Sequence, residues 1–342
     1  MDGRRIFITG TAGFIGYHLA ELLLSQGYIL GGYDGMTDYY DVRLKERRHA
    51  MLNQHESFSA TEAMLEDQEQ LHTAISSFKP DVIVHLAAQA GVRYSIDNPR
   101  AYLDANIVGT FNIMEAARSA GIQHLLMAST SSVYGANTEM PFTETERVAT
   151  PLTFYAASKL ANEAMGHSYA HIYNLPITMF RFFTVYGPWG RPDMAYFKFA
   201  RNIIDGKPID IYNNGDMWRD FTYVEDLVRG IAGLIDSIPQ RPNKPEDILS
   251  GDSLSPAAPF RVVNIGNSEK VRLLDFIDAI EAEIGKKAIR NYMPMQQGDV
   301  PATWADASLL QSLTGYRPKT PFREGVARFV RWYKDYFDNA RA

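Results

Sequence analysis

The sequence predicts an α/β fold: a doubly wound parallel sheet followed by a smaller, mixed C-terminal lobe. Three observations carry that prediction. Short apolar runs alternate with stretches of helical apolar spacing through the first half of the 342 residues. A glycine-rich turn joins the first run to the first helical stretch. The regular alternation then loosens after about residue 182, where aromatics, prolines and glycines are interspersed with shorter elements.

Taken in order, Ile6–Thr9, Ile29–Tyr33, Asp81–Ala87 and His124–Ala128 read as buried strands. Each is short, continuous and apolar, as a strand covered on both faces must be. Between them Phe14–Gln26, Gln68–Phe78 and Ala101–Ala120 place apolar residues at helical spacing. Strand and helix in alternation require helices on both faces of a parallel sheet. Pro151–Tyr173 reads as a further long helix and Ile177–Arg181 as the strand after it. Residues 1–181 are therefore expected to form the first domain, with segments near 218–236 and 261–267 returning to it. Residues 182–342 form mainly the second lobe. Residues 238–260 contain five prolines and read as an exposed loop, open to movement and without chemistry of its own.

Composition excludes several classes. Hydrophobic residues make up 46% and charged residues 22%, values of an ordinary globular chain. A net charge of −6 without a lysine–arginine block argues against nucleic acid or an anionic membrane as partner. There is no cysteine, so disulfides, thiolate metal sites and cysteine nucleophiles are out. No metal site is expected. With no signal-peptide pattern and no run of 18 apolar residues, the expected location is the cytoplasm.

Gly10-Thr-Ala-Gly13-Phe14-Ile15-Gly16 follows a strand and opens a helix. Gly10 permits the tight turn, Gly13 lets the backbone approach a pyrophosphate, and Gly16 allows close helix–strand packing. The helix N-terminus faces the anion. This is the arrangement of a Rossmann-type dinucleotide domain. Asp34 closes the second strand, where a carboxylate accepts bonds from ribose hydroxyls and repels a 2′-phosphate. NAD, tightly bound, is therefore expected over NADP. A bland reading of Asp34-Gly35 as strand-end turn chemistry stays open. No Gly-Lys-Ser/Thr follows the loop, which excludes a P-loop.

Tyr155-Ala-Ala-Ser-Lys159 lies in the long helix, so Tyr155 and Lys159 share one face. Tyrosine, with a pKa near 10, is a poor base at neutral pH. A neighbouring ammonium and the positive nicotinamide ring would both favour the phenolate, which could then take a hydroxyl proton. Ala128-Ser-Thr130-Ser131-Ser132 follows the fifth strand, whose end opens into the crevice of such sheets. A hydroxyl there can bridge substrate oxygen and Tyr155.

With these motifs in order, the chain resembles the extended short-chain dehydrogenase/reductase superfamily. Within its NAD-dependent epimerase/dehydratase family it looks most like the UDP-glucuronate 4-epimerases, over about residues 4–335. The most specific segments are Asp38-Tyr-Tyr-Asp41, His85 to Ser95, Arg181 to Met194, Arg219-Asp-Phe-Thr-Tyr223, Asn264-Ile-Gly-Asn267 and Gln297-Gly-Asp-Val-Pro301. The resemblance implies Thr130, Tyr155 and Lys159 as catalytic. It puts Leu86, Ala87 and Ala88, with Tyr155 and Lys159, beside the cofactor. Ser131, Ser132 and Thr184 match contacts to a sugar carboxylate. Arg93, Arg191, Arg219 and Asp299 fall among substrate contacts, the two later arginines near the nucleotide and its diphosphate. Arginine forks suit phosphate oxygens, and a surface ion pair is the competing reading for each. One departure stands out. Many relatives carry Asp-Leu after the third strand, the Asp bonding the adenine amine. Here Met64 precedes Leu65, so adenine recognition is expected to be partly apolar or to use Glu62.

The implied reaction is C4 epimerisation of UDP-glucuronate to UDP-galacturonate through a 4-keto intermediate, an isomerase step of the kind that feeds polysaccharide biosynthesis. The implied partner is a second copy, packed through Ala101–Ala120 and Pro151–Tyr173 as a four-helix interface. Rivals are weighed by residues. A 4,6-dehydratase places Asp-Glu directly after its catalytic threonine, where this chain has Ser131-Ser132. A UDP-glucuronate decarboxylase carries Glu at the second of those positions. A 4-epimerase of a neutral sugar such as UDP-glucose or UDP-N-acetylglucosamine stays open, since hydroxyls also bind hydroxyls. A non-catalytic NAD sensor would have no need of Thr130, Tyr155 and Lys159 together. His167 and His171, one turn apart, read as structural rather than as metal ligands, and His85 as a packed, hydrogen-bonded histidine.

Overall fold

A computed structural model describes residues 3–339. Its centre is a seven-stranded sheet in the spatial order Phe260–Ile265, Ile177–Phe182, His124–Thr130, Val82–His85, Arg5–Thr9, Ile29–Asp34, Phe58–Glu62. Every neighbouring pair is parallel. The order reverses between Arg5–Thr9 and Val82–His85, the switch point at which such sheets open a crevice.

The strands alternate their side chains between two cores. Ile6, Ile8, Val82 and Val84 face the helices Phe14–Ser25 and Val224–Ile235. Phe7 and Ile83 face the opposite layer, with Leu71, Ile113, Met114 and Ala170. All are buried, so the expected double winding is present, and the apolar runs are continuous because both faces are covered. The helix Val224–Ile235 and the strand Phe260–Ile265 come from the second half of the chain and complete this first layer set.

Several boundaries differ from the sequence reading, three of them for a reason the structure shows. The strand expected over Asp81–Ala87 spans only Val82–His85, because Leu86 and Ala87 turn their amides to the Thr9 hydroxyl at 3.2 and 3.1 Å. The helix expected from Pro151 starts at Phe154, since Thr153 is extended and its hydroxyl caps the Ala156 amide at 3.2 Å. Ala101–Ala120 is interrupted: a π-helical turn, Leu103–Val108, separates Pro99–Tyr102 from Gly109–Ala120. That extra residue per turn directs Asn106 inward, where its amide bonds Gln89 and the Ser158 hydroxyl.

The second lobe is built on aromatic packing. Phe221 stacks on Phe276 at 3.9 Å, and Tyr186, Tyr196, Phe197 and Phe329 close around them. The helices Ala195–Ile204, Leu273–Ile284 and Phe322–Asn339 supply most of this core. Residues 238–260, read as an open loop, are fastened to the helix Phe154–Tyr173. Ser255 meets His167 Nε2 at 2.8 Å, and His171 Nδ1 bonds the Ala257 carbonyl at 2.7 Å. Asp252 of this segment pairs with Arg261 of the following strand at 2.9 Å. Both histidines are thus structural, as expected, and among the described residues no cluster of metal-ligating side chains occurs.

Candidate active site

A cleft of about 1360 Å³ opens at the switch point and runs between the sheet and the second lobe. Every residue singled out in the sequence for cofactor, substrate or catalysis lines it except Glu62.

At one end lies the glycine loop. Gly10 has φ +81°, and a side chain there would stand 2.8 Å from the Ala87 amide nitrogen. At Gly16 a Cβ would meet the Gly10 carbonyl at 2.0 Å. Only glycine lets the strand, the turn and the helix approach this closely, leaving a bare backbone cradle at a helix N-terminus. Asp34 sits at the rim. Its Oδ2 accepts from the Ala12 amide at 3.0 Å and its Oδ1 from Met36 at 2.9 Å, so the strand-end turn role and the cleft position coexist. Met64, Leu65 and Glu66 line the same end, whereas Glu62 does not and pairs with His49 at 3.3 Å. Of the two alternatives for that end, the apolar one is on the wall.

The floor is His85. Nδ1 meets the Thr9 hydroxyl at 2.8 Å and Nε2 that of Thr110 at 3.1 Å. Burial, with Lys159 nearby, pushes its pKa down to about 3. It is a neutral packing residue, as read.

Next along the cleft come the hydroxyls. Thr130 ends its strand and accepts from the Ser132 amide at 3.2 Å, which starts a short helical turn. The Thr130 hydroxyl donates to that of Ser132 at 3.3 Å and lies near enough to the Tyr155 phenol to favour its ionised form. Lys159 donates to the Ala128 carbonyl at 2.9 Å. Burial pushes Lys159 down to about 8. Tyr155 departs from expectation. Burial raises its pKa, and the groups that pull it back are the Thr130 hydroxyl and the Arg191 charge rather than the Lys159 ammonium, which is held by the strand. Among the described residues, the hydroxyls of Ser131 and Thr184 have no partner and face the cleft.

The far end is basic. Arg191 forms a fork with Asp193 at 3.1 and 2.6 Å, so the ion-pair reading and the cleft position are both true. Arg219 instead donates to carbonyls, Trp218 at 2.9 Å, Val300 at 2.8 Å and Pro301 at 3.2 Å. Arg93 pairs with Asp299 at 3.1 Å across the mouth. Arg219 thereby holds the 299–301 turn beside the opening.

A model of the "NAD dependent epimerase/dehydratase family" matches residues 6–248. The chain belongs to that family. A "Probable UDP-glucuronate 4-epimerase" of Rhizobium meliloti is 54% identical over 98% of this chain and 98% of its own length. UDP-glucuronate 4-epimerase 1 of Arabidopsis thaliana is 43% identical over 98% of this chain and 78% of its own. Among solved structures, the UDP-glucuronic acid 4-epimerase of Bacillus cereus in complex with UDP-glucuronic acid and NAD superposes with a TM-score of 0.85. It is 31% identical, over 97% of this chain and 99% of that one.

In this epimerase/dehydratase several cleft features had no counterpart in the sequence reading. Lys45 lines the cleft near Asp34 and donates to the Thr37 carbonyl and hydroxyl at 2.6 and 2.8 Å. Glu163 was legible in principle, since it continues the face of Tyr155 and Lys159 by one more turn. It forms a buried pair with Arg181 at 2.7 Å and accepts the Ser129 hydroxyl at 2.6 Å, directly before Thr130. The pair fixes the strand end relative to the helix Phe154–Tyr173. Breaking it in Glu163→Ala leaves a buried guanidinium unpaired, which costs about 3–5 kcal/mol. Urea unfolding of the purified variant measures that loss; a change under about 1 kcal/mol would show that the pair carries little.

Proposed function

We propose that this chain is an NAD-dependent UDP-glucuronate 4-epimerase, interconverting UDP-glucuronate and UDP-galacturonate through a 4-keto sugar. One observation carries the reading. Thr130, Tyr155 and Lys159 open into the same cleft as three neutral hydroxyls, Ser131, Ser132 and Thr184, with no carboxylate in the two positions after Thr130. The relatives named as UDP-glucuronate 4-epimerases support it.

The cradle at Gly10, Gly13 and Gly16 fits a dinucleotide pyrophosphate, because only glycine lets the turn pack this closely and the helix Phe14–Ser25 starts there, on the cleft wall. Phe14 and Ile15 continue that wall, Asp34 would hold a ribose, and Leu86, Ala87 and Ala88 would back the cofactor. Bound NAD supplies the acceptor, and later the donor, of the hydride at sugar C4. The chain does the rest. Tyr155 takes the O4 proton, the Thr130 hydroxyl bridges O4 and the phenol, and Lys159 adds positive potential from beneath. Arg191 and Arg219 hold the diphosphate, with Arg93 and Asp299 at the entrance. Ser131, Ser132 and Thr184 orient the sugar carboxylate while the ring turns about its diphosphate tether. Once C4 has been re-reduced on its opposite face, Tyr155 returns the proton to O4.

The cofactor domain is assigned to residues 1–181 with the helix Val224–Ile235 and the strand Phe260–Ile265; the rest is mainly the nucleotide-sugar lobe. A second copy would pack on the helices near Leu103, Val108, Phe111 and Phe154, whose apolar side chains are exposed. The chain is assigned to the cytoplasm and to precursor supply for polysaccharides. Among the described residues no helix is long and apolar enough to cross a membrane.

Incubating purified protein with UDP-glucuronate should yield UDP-galacturonate, and the reverse from UDP-galacturonate. Turnover of UDP-glucose or UDP-N-acetylglucosamine alone would move the assignment to a neutral sugar. The same preparation should release NAD⁺ or NADH on denaturation without any having been added. Recovery of NADP(H) as the main nucleotide would overturn the role given to Asp34.

A further inference from the structure

Arg48 is completely buried, yet among the described residues no carboxylate lies within ion-pair distance of it. A guanidinium in that position is costly unless its donors and its charge are both used. Nε has no partner among the described residues and Nη1 touches the Tyr40 hydroxyl at 3.1 Å, but the other bonds go to two places far apart in the chain. Nη1 donates to the Ala12 carbonyl, inside the glycine loop, at 2.9 Å. Nη2 donates to the Trp189 carbonyl at 2.6 Å and to that of Gly190 at 3.3 Å, immediately before Arg191.

Two independent features mark the same junction. Trp189 has φ +57°, a left-handed conformation that a bulky residue seldom adopts. Its ring is wedged against Tyr17 at 5.9 Å, Trp332 at 5.3 Å and Tyr336 at 5.2 Å. The carbonyl just before it, Pro188, is bonded by His18 Nε2 at 2.9 Å, from the helix that the glycine loop opens. Three consecutive carbonyls of the 188–190 turn are therefore held by side chains of the cofactor domain. The Ala12 peptide is in turn held from its amide side by Asp34 and from its carbonyl side by Arg48.

We propose that Arg48 is a positioning residue that locks the cofactor loop to the turn bearing Arg191, so that dinucleotide retention and UDP-sugar binding reinforce one another. The inference rests on the function proposed above. One planar fork spans both segments, so a shift of either changes the geometry offered to the other. Its charge, unneutralised by the protein, lies behind the loop that would face an anionic pyrophosphate. For an enzyme that oxidises and re-reduces the same molecule, this coupling has a use: while the nucleotide part of the sugar is bound, the cofactor is held most firmly.

The experiment follows release of the co-purified dinucleotide from wild-type protein, Arg48→Met and Arg48→Lys, with and without saturating UDP. In wild type, UDP should slow release at least about fivefold, the lower end of ordinary coupling between sites. Arg48→Met should release dinucleotide faster, and UDP should change its rate less than about twofold. Arg48→Lys keeps the charge without the fork, so basal retention should recover while the UDP effect stays absent. This variant decides the matter if Arg48→Met fails to fold. Coupling of wild-type size in either folded variant would overturn the proposal. So would wild-type protein that binds UDP and carries dinucleotide but shows no UDP effect on release, with the epimerase reading left standing. Wild-type protein that carries no dinucleotide and binds no UDP would instead remove the functional reading itself.

Discussion

Tyr155→Phe should lower turnover of UDP-glucuronate by at least about 100-fold, the low end of what a positioned acid–base group contributes. The substitution keeps the ring and its edge contact with Tyr102 at 5.9 Å, so the helix and the cleft should stand. What disappears is the single oxygen that can take the O4 proton. Because burial raises the Tyr155 pKa in the protein, the phenolate needs help from the positively charged nicotinamide, the nearby Thr130 hydroxyl and the Arg191 charge. The variant should therefore keep its dinucleotide while losing chemistry. Turnover near the wild-type value, with an unchanged fold, would take Tyr155 out of the mechanism.

The second large effect concerns a reaction that the enzyme avoids. Oxidation at C4 of a uronic acid creates a β-keto acid, which loses CO₂ once its C5–C6 bond aligns with the carbonyl π system. The carboxylate must be kept out of that alignment while the ring still turns. Several fixed neutral hydroxyls can set an orientation without clamping as a bidentate arginine would. A hydrogen bond to a charged group is worth roughly 1.5–3 kcal/mol, enough to shift partitioning by tenfold or more. Wild-type protein should thus give UDP-galacturonate with little pentose product. Thr184→Val, or Ser131→Ala with Ser132→Ala, should bind the uronate less well and release more CO₂ per epimerisation. Product analysis by chromatography reads both quantities. Variants that epimerise normally with no added decarboxylation would mean that these hydroxyls do not govern the carboxylate, and the uronate assignment would lose its main physical support.

Most of the cleft was legible because its residues stand at strand ends and helix starts, where the chain announces itself by local pattern. Gly10, Gly13 and Gly16 mark a turn, Asp34 ends an apolar run, and Tyr155 and Lys159 share a helical face. The parts that escaped depend on partners remote in sequence. Arg48 lies in a helix of low apolar content and looks like a surface residue until Ala12, Trp189 and Gly190 are brought to it. Glu163 was visible on its helix face, but Arg181, 18 residues on, was needed to show why a buried carboxylate is tolerated there. The π turn at Leu103–Val108 has no local signature: its reason is the Asn106 contacts with Gln89 and Ser158. Two boundary differences share a cause, a hydroxyl of Thr9 or Thr153 competing for backbone groups that periodicity alone assigned elsewhere.

The position of Phe260–Ile265 at the sheet edge has a consequence for the chain during its synthesis. Its neighbour Ile177–Phe182 leaves the ribosome about 80 residues earlier, which at ordinary elongation rates is about 4–16 s. For that interval the nascent sheet ends in a strand of Ile, Met and Phe with an open row of amides and carbonyls, the kind of edge that pairs with other chains. Arg181 is the one charge in that strand, and before it is buried against Glu163 it would serve as a guard against such pairing. The same arginine thus acts twice, first by keeping an unfinished edge to itself and later by anchoring the finished one.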